Sequence, residues 1–401
     1  MSDTTQATDP PFHVSPDLVF FFDYHSDPRL TPDIHDGLMR LKEEAPAVFW
    51  TPAHGGHWVV TDSNLIAHVL KTPADFSSRQ LQIPPRTDAP RMIPESLDPP
   101  EHLHYRRLMM EFFEKKHIGH LQARIDYWTD TLIREVGPKR KVEIVEEVTS
   151  RLPVYVFMEF VGFPLERYKD FRRLVDGMFR EPVPEKRQMV AMQIFGELQA
   201  LISDKQKNPS DDILSRLIET DFQGRKLNFE ELMSIGFLLF VAGLDTVTNA
   251  MTFGLRHLAG APSLRDKVRS EPAKIPALVE ELLRRYTFPT LPRQVTRDLD
   301  LGGAHLKEGD MVLSLIALVG LDQSLNPDAT EIDLERARPV HFAFGHGGHT
   351  CLGRHLAKME LETLYRRWLE EIPEFEIDPD HAAPRNRGGA VMGIPELWLR
   401  W

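Results

Sequence analysis

From Asn228 onward the chain carries the run Ile235-Gly236-Phe237-Leu238-Leu239-Phe240-Val241, which would clothe a helix in apolar side chains on nearly every face. Such a helix has to cross a protein interior, and the rest of the chain must wrap around it. Asn228, followed three residues later by Glu231, marks its start as a capping box. The uninterrupted apolar stretch, Ile235 to Leu244, reaches only about half of a membrane span. A protein core, not a bilayer, is the expected surrounding. Into this run falls Ala242-Gly243-Leu244-Asp245-Thr246. An acid and a hydroxyl inside a buried helix each need a partner, since each costs roughly 1–3 kcal/mol when unsatisfied. Two arrangements meet the need. Thr246 can bond back to the carbonyl four residues earlier while Asp245 pairs with a buried base. Alternatively, the two deliver protons beside a reactive centre, and small Ala242 and Gly243 leave room for a ligand.

Helical periodicity extends from about 98 to 260 and returns over 272–286 and 352–371. Strand-like pieces are confined to His57-Trp58-Val59-Val60, a hairpin region over 299–315 turning at Gly302-Gly303 and near Gly309, and 395–401. The stretch 321–343 reads as irregular coil. The expected fold is therefore mainly α with small β-sheets, a single domain over 1–401 with 1–20 as a flexible N-terminal segment. Lys and Arg total 48 against 60 Asp and Glu, a net charge of −12, which argues against nucleic-acid binding. Met1 to Phe12 lacks the basic and apolar regions of a signal peptide. With a single cysteine in the chain, this points to a soluble, cytoplasmic protein without membrane association.

That cysteine, Cys351, stands in Phe344-Gly345-His346-Gly347-Gly348-His349-Thr350-Cys351-Leu352-Gly353. Glycines let a backbone bend tightly and lie against a flat ligand. A helical pattern begins just after the sulfur, and its N-terminal partial charge would favour thiolate over thiol. A soft thiolate in such a loop is suited to be an axial ligand of heme iron. The same stretch also offers His346, His349, Cys351 and His355 as a set of zinc ligands.

Two further pairs stand out. Glu281-Leu282-Leu283-Arg284 places an acid and a base on one helical face. Asp98-Pro99-Pro100-Glu101 marks a helix start, after which His102 and Arg106 follow about 6 Å apart along the axis. Two cationic groups on one face repel unless an anion sits between them.

The combination of Phe344-x-x-Gly347-x-His349-x-Cys351-x-Gly353, Glu281-x-x-Arg284 and Ala242-Gly243-x-Asp245-Thr246 resembles a cytochrome P450. The likeness runs from about Trp50 to Trp401. It is strong toward the soluble bacterial camphor-hydroxylase group, through Gly243-Leu244-Asp245-Thr246-Val247 and Glu280-Glu281-Leu282-Leu283-Arg284-Arg285. The resemblance implies heme b lying between the long central helix and the helix after the cysteine loop. Cys351 would be the proximal thiolate ligand of the iron. Phe344, Gly345 and Gly353 of the loop, and Ala242 on the opposite wall, would contact the cofactor. His102, Arg106, Arg293 and His349 match positions that bind the heme propionates, which supplies the anion that His102 and Arg106 call for. Glu281, Arg284 and Arg336 resemble the family's structural ion-pair triad, although Leu334 stands where relatives usually have phenylalanine.

By the same resemblance, Thr246 and Asp245 would supply the protons that dioxygen cleavage consumes. Leu238, Val241, Ala242, Pro289, Leu291, Ala390, Val391 and Met92 would line a pocket for a compact hydrophobic substrate, a terpenoid first of all. Camphor itself is not expected, because no tyrosine lies between Tyr24 and Tyr105 to hold its ketone. Ser77-Ser78-Arg79, Arg86 and Arg91 keep an aromatic or fatty carboxylate as the second option. Electrons would come from a [2Fe–2S] ferredoxin with an NAD(P)H reductase, docking where Arg106, Arg107, Arg354 and Lys358 offer a basic patch. The rival classes are the zinc protein and a heme-thiolate sensor without turnover. A sensor has no use for a proton relay such as Asp245-Thr246.

Overall fold

The interior helix is present as Phe229–Gly243 and Asp245–Ala259, interrupted at Leu244 (φ −110°, ψ −65°). In the computed structural model, which describes residues 8–86, 89–179, 181 and 183–401, the remaining elements pack around it. Its start is the expected capping box: Glu231 N–H donates to Asn228 Oδ1 at 2.9 Å, and Asn228 N–H to Glu231 Oε2 at 2.6 Å. The Glu231 carboxylate also takes two hydrogen bonds from Arg225 and one from Tyr105. Among the described residues, Phe229–Ala259 is the one helical stretch long and apolar enough to cross a membrane, and 56% of its most apolar window is buried in protein.

The helix after the cysteine, Arg354–Glu371, packs on Gln122–Val136, Asp245–Ala259 and Ile275–Arg285. The contact with Asp245–Ala259 is close. Tyr365, fully buried, donates its hydroxyl to Ala250 O at 3.0 Å, and a Cβ on Gly254 would lie 2.0 Å from that hydroxyl oxygen. Gly254→Ala should therefore destabilise the protein by about 1–3 kcal/mol through overpacking. A thermal melt would show a drop of several degrees, whereas Gly260→Ala, whose nearest neighbour is 3.7 Å away, should leave the midpoint almost unchanged. Equal midpoints for the two variants would refute the packing argument.

Sheets are small and peripheral. A five-stranded sheet has the order Val48–Thr51, His57–Val60, Met311–Ser314, Leu291–Val295, Phe76–Ser77, antiparallel except where His57–Val60 runs parallel to Met311–Ser314. The tight turn expected at Gly302-Gly303 joins Leu299–Leu301 to Ala304–Leu306, with φ of 56° and 87° at the two glycines. Trp398–Arg400 enters a three-stranded sheet between Lys141–Glu143 and Glu376–Ile377. Lys141–Glu143 thus breaks the helical run expected from 98 to 260, because its partner strand comes from the far end of the chain. The stretch 321–343 has neither strand nor helix, as expected.

Of the segment 1–20 expected to be flexible, residues 1–7 lie outside the described residues. The rest is tied down: Val14 is buried, His13 Nε2 lies 3.0 Å from Asp310 Oδ2, and Phe20 N–H donates to Trp50 O at 2.9 Å.

Candidate functional site

The cysteine loop is built by a few backbone bonds. Cys351 N–H donates to Phe344 O at 2.7 Å, and Gly345 N–H to Phe342 O at 2.8 Å. Gly345 and Gly347 take φ of 73° and 75°, and a Cβ on Gly347 would meet Leu70 O at 2.5 Å, so glycine is required there on two counts. At Gly353 a Cβ would make only ordinary contact, 3.9 Å from Cys351 Sγ. Arg106 donates to Thr350 O and ties the loop to the helix Glu101–Phe113.

Cys351 is enclosed by protein yet accessible, because its sulfur opens onto an internal cavity of about 300 Å³. Burial dominates and pushes the thiol up; the Gly353 N–H at the cap of the following helix, Arg106 and Arg354 act in the opposite direction, so the pull expected from the helix start is present but outweighed.

The far wall of the cavity is the interior helix, with Leu238, Ala242, Gly243, Thr246 and Val247 facing in. Thr246 donates to Ala242 O at 2.9 Å, the back-bond expected of a threonine within a helix. A hydroxyl that donates once still has two lone pairs, so Thr246 can also accept a hydrogen bond from the cavity side. Asp245 Oδ2 lies 3.2 Å from Arg387 Nη2, and Arg387 also reaches Phe179 O at 3.4 Å. The base expected for Asp245 is thus Arg387, a residue the sequence alone did not single out.

At one edge of the cavity stand Arg106, Arg293 and His349; His102, expected with them, does not line the cavity but packs against His349. Among the described residues His102, which is buried, has no partner for Nε2, and its ring centre lies 4.0 Å from that of His349. His349 Nε2 meets Ser78 Oγ at 3.1 Å, and among the described residues its Nδ1 has no hydrogen-bond partner. Burial lowers His102 to about 4, with His349 and Arg106 adding to the effect. Burial likewise lowers the Arg106 and Arg293 guanidiniums. The buried Arg293 guanidinium, the half-buried Arg106 guanidinium and the orphaned His349 nitrogen at one cavity edge, with His102 packed against His349, fit a bound anion. Glu95, overlooked in the sequence, brings a carboxylate there, with Oε2 3.7 Å from His349 Nδ1.

The residues expected to line the substrate pocket divide. Leu238, Ala242, Pro289 and Leu291 line the cavity; Val241, Ala390, Val391 and Met92 do not. Ala390 and Val391 lie beside Phe288–Thr290, pairing with it through Thr290 N–H to Ala390 O (2.9 Å) and a bridge from Pro289 to Val391. Met92 is tucked into a turn whose next members, Pro94 and Glu95, reach the cavity in its place. Met109, Phe113, Phe157 and Phe160 add apolar wall that the sequence did not mark.

Glu281, Arg284 and Arg336 converge as expected. Arg284 grips Glu281 at 2.7 and 2.9 Å, and Arg336 Nε reaches Glu281 Oε1 at 2.9 Å. The proposed basic patch is smaller than expected, because Lys358 is paired with Glu280.

The profile of the cytochrome P450 family matches residues 138–396. This chain is 31% identical to a probable cytochrome P450 127A1 of Sinorhizobium fredii (strain NBRC 101917 / NGR234), over 98% of this chain and 96% of the relative. The chain belongs to the cytochrome P450 family. It is also 30% identical to a mycinamicin IV hydroxylase/epoxidase of Micromonospora griseorubida, over 94% of this chain and 95% of that one. The crystal structure of CYP101J2 superposes with a TM-score of 0.92 at 34% identity, covering 98% of this chain and 100% of that one. The P450 fold places heme b in this cavity, and the residues fit it: a single thiol on one wall, small residues on the other, and buried bases at the edge where carboxylates must go. The zinc set does not form. Among the described residues no three His, Cys, Asp or Glu side chains are placed to hold a metal ion, and His346 stacks on Phe342 with ring centres 4.0 Å apart.

Proposed function

We propose that this P450 monooxygenase hydroxylates a compact, apolar small molecule, a terpenoid by first choice, with electrons from a [2Fe–2S] ferredoxin and its NAD(P)H reductase. The observation that carries the reading is the disposition of Cys351 and Thr246 on opposite walls of one apolar cavity. Heme b supplies the activation of dioxygen at its iron when bound. Cys351 provides the proximal thiolate. His102, Arg106, Arg293 and His349 hold the propionates, and Gly345, Gly353, Phe344 and Ala242 shape the slot. The apolar walls exclude water and hold the substrate by shape. Thr246 orders the last hydrogen-bond donor on the distal side, and Asp245, reaching toward solvent through Arg387, replenishes its protons.

A carboxylate substrate is the weaker choice. Arg79 lies 3.4 Å from Asp98 and Arg91 lies 3.1 Å from Glu101, both with largely exposed side chains. Ferredoxin docking is assigned to the exposed face of Glu101–Phe113, where Arg107 stands between Leu103 and Met110 and the neighbouring Arg106 reaches the cysteine loop. The protein acts as one soluble, cytoplasmic domain.

The test is Thr246→Ala. It should keep heme and substrate binding while most reducing equivalents appear as hydrogen peroxide and hydroxylated product falls about 10²-fold or more. Product formation tightly coupled to NADH consumption in the variant would remove Thr246 from the relay. Absence of any substrate-dependent NADH use in the unmodified protein with ferredoxin would leave the sensor reading standing.

A further inference from the structure

Glu95 belongs to a turn that closes on itself. Ser96 N–H donates to Met92 O at 2.8 Å, Met92 N–H to Ser96 Oγ at 3.0 Å, and Leu97 N–H to Pro94 O at 3.1 Å. Ser234 Oγ donates to Arg91 O at 2.7 Å and pins this turn to the interior helix. The Glu95 backbone therefore has a set place, and its side chain faces the cavity. Burial alone would push this carboxyl up, yet the pull of His349, Arg293 and Arg106 prevails and holds it below the ordinary value. The carboxylate is thus drawn to the bases assigned above to the heme propionates.

We propose that Glu95 competes with the heme propionates for His349, Arg293 and Arg106, so that this chain retains its cofactor less tightly than its anchors would otherwise allow. The inference rests on the assignment of those residues as propionate anchors. Three carboxylates would then share one edge of the cavity with two permanent positive charges, the Arg106 and Arg293 guanidiniums. Like charges packed into an enclosed site repel strongly. A supporting role, with Glu95 orienting His349 for the heme, does not fit the geometry. At 3.7 Å the contact is too long for a hydrogen bond. The His349 ring is already oriented by Ser78 Oγ at 3.1 Å and by stacking on His102.

The test is the rate of heme transfer from holoprotein to excess apomyoglobin. Glu95→Gln, which keeps the shape and removes the charge, should release heme roughly tenfold more slowly than the unmodified protein. Glu95→Ser should move in the same direction, which guards against a fold effect peculiar to the first variant. Glu111→Gln removes the same charge from an exposed site on Glu101–Phe113 and should release heme at the unmodified rate. Equal or faster release from both Glu95 variants would overturn the proposal, and faster release is what a supporting role demands. Arg293→Leu separates the two layers of the argument. If it fails to accelerate release, the anchor assignment falls and the competition falls with it. If it accelerates release while the Glu95 variants do not slow it, the anchors stand and the competition alone is wrong.

Discussion

Cys351→Ser is expected to abolish the absorption band of the reduced carbon-monoxide complex for which the family is named, and to lower monooxygenase turnover by at least about 100-fold. Loss of a second-shell partner typically costs 10–100-fold at a metal site, and loss of the ligand itself should exceed that. Serine is nearly isosteric, and the bond from residue 351 N–H to Phe344 O at 2.7 Å is made by the backbone, so the loop should keep its shape. What changes is the donor: a hard oxygen replaces a soft, polarisable sulfur. The variant should still take up heme, since Arg106, Arg293 and His349 stand on other parts of the cavity edge. A variant that keeps the band would show that Cys351 is not the axial ligand.

Arg284→Lys is expected to destabilise the protein by about 3–5 kcal/mol, the range seen when a buried ion pair is broken. Charge is conserved in this substitution, so the loss is geometric. All five guanidinium donors of Arg284 are used: Nε and Nη2 on Glu281, Nη1 on Gly320 O and Ala329 O, and Nη2 again on Glu331 O, at 2.6–2.9 Å. A lysine ammonium has three donors on a single point and cannot span those acceptors. The carbonyls of Ala329 and Glu331 belong to coil that has no strand or helix ladder of its own, and this coil leads directly into the cysteine loop. Denaturant unfolding should show the loss, and the yield of heme-loaded protein should fall with it. A shift below about 1 kcal/mol would mean that water satisfies these carbonyls without the guanidinium.

The elements legible in the sequence were those whose chemistry is local. The capping box at Asn228 and Glu231, the glycine turn at 302–303 and the Glu281–Arg284 spacing each involve residues a few positions apart, and each formed as expected. Less was legible where a partner comes from far along the chain. Lys141–Glu143 is a strand only because Trp398–Arg400 lies beside it. Ala390 and Val391 were placed on the cavity wall by likeness, and they instead pair beside Phe288–Thr290 without lining the cavity.

From the sequence alone came the interior helix, a thiol carried on a glycine loop, and an acid and hydroxyl facing an apolar centre. Those features depend on composition and spacing along a single element. Tertiary structure decided which charges share the cavity. Asp245 pairs with Arg387 from 142 residues away, Glu95 joins the buried bases from a separate turn, and Lys358 is taken out of the basic patch by Glu280. The physical reason is that a charge removed from water takes whatever counter-charge folding brings within reach, and no local pattern encodes which one that will be.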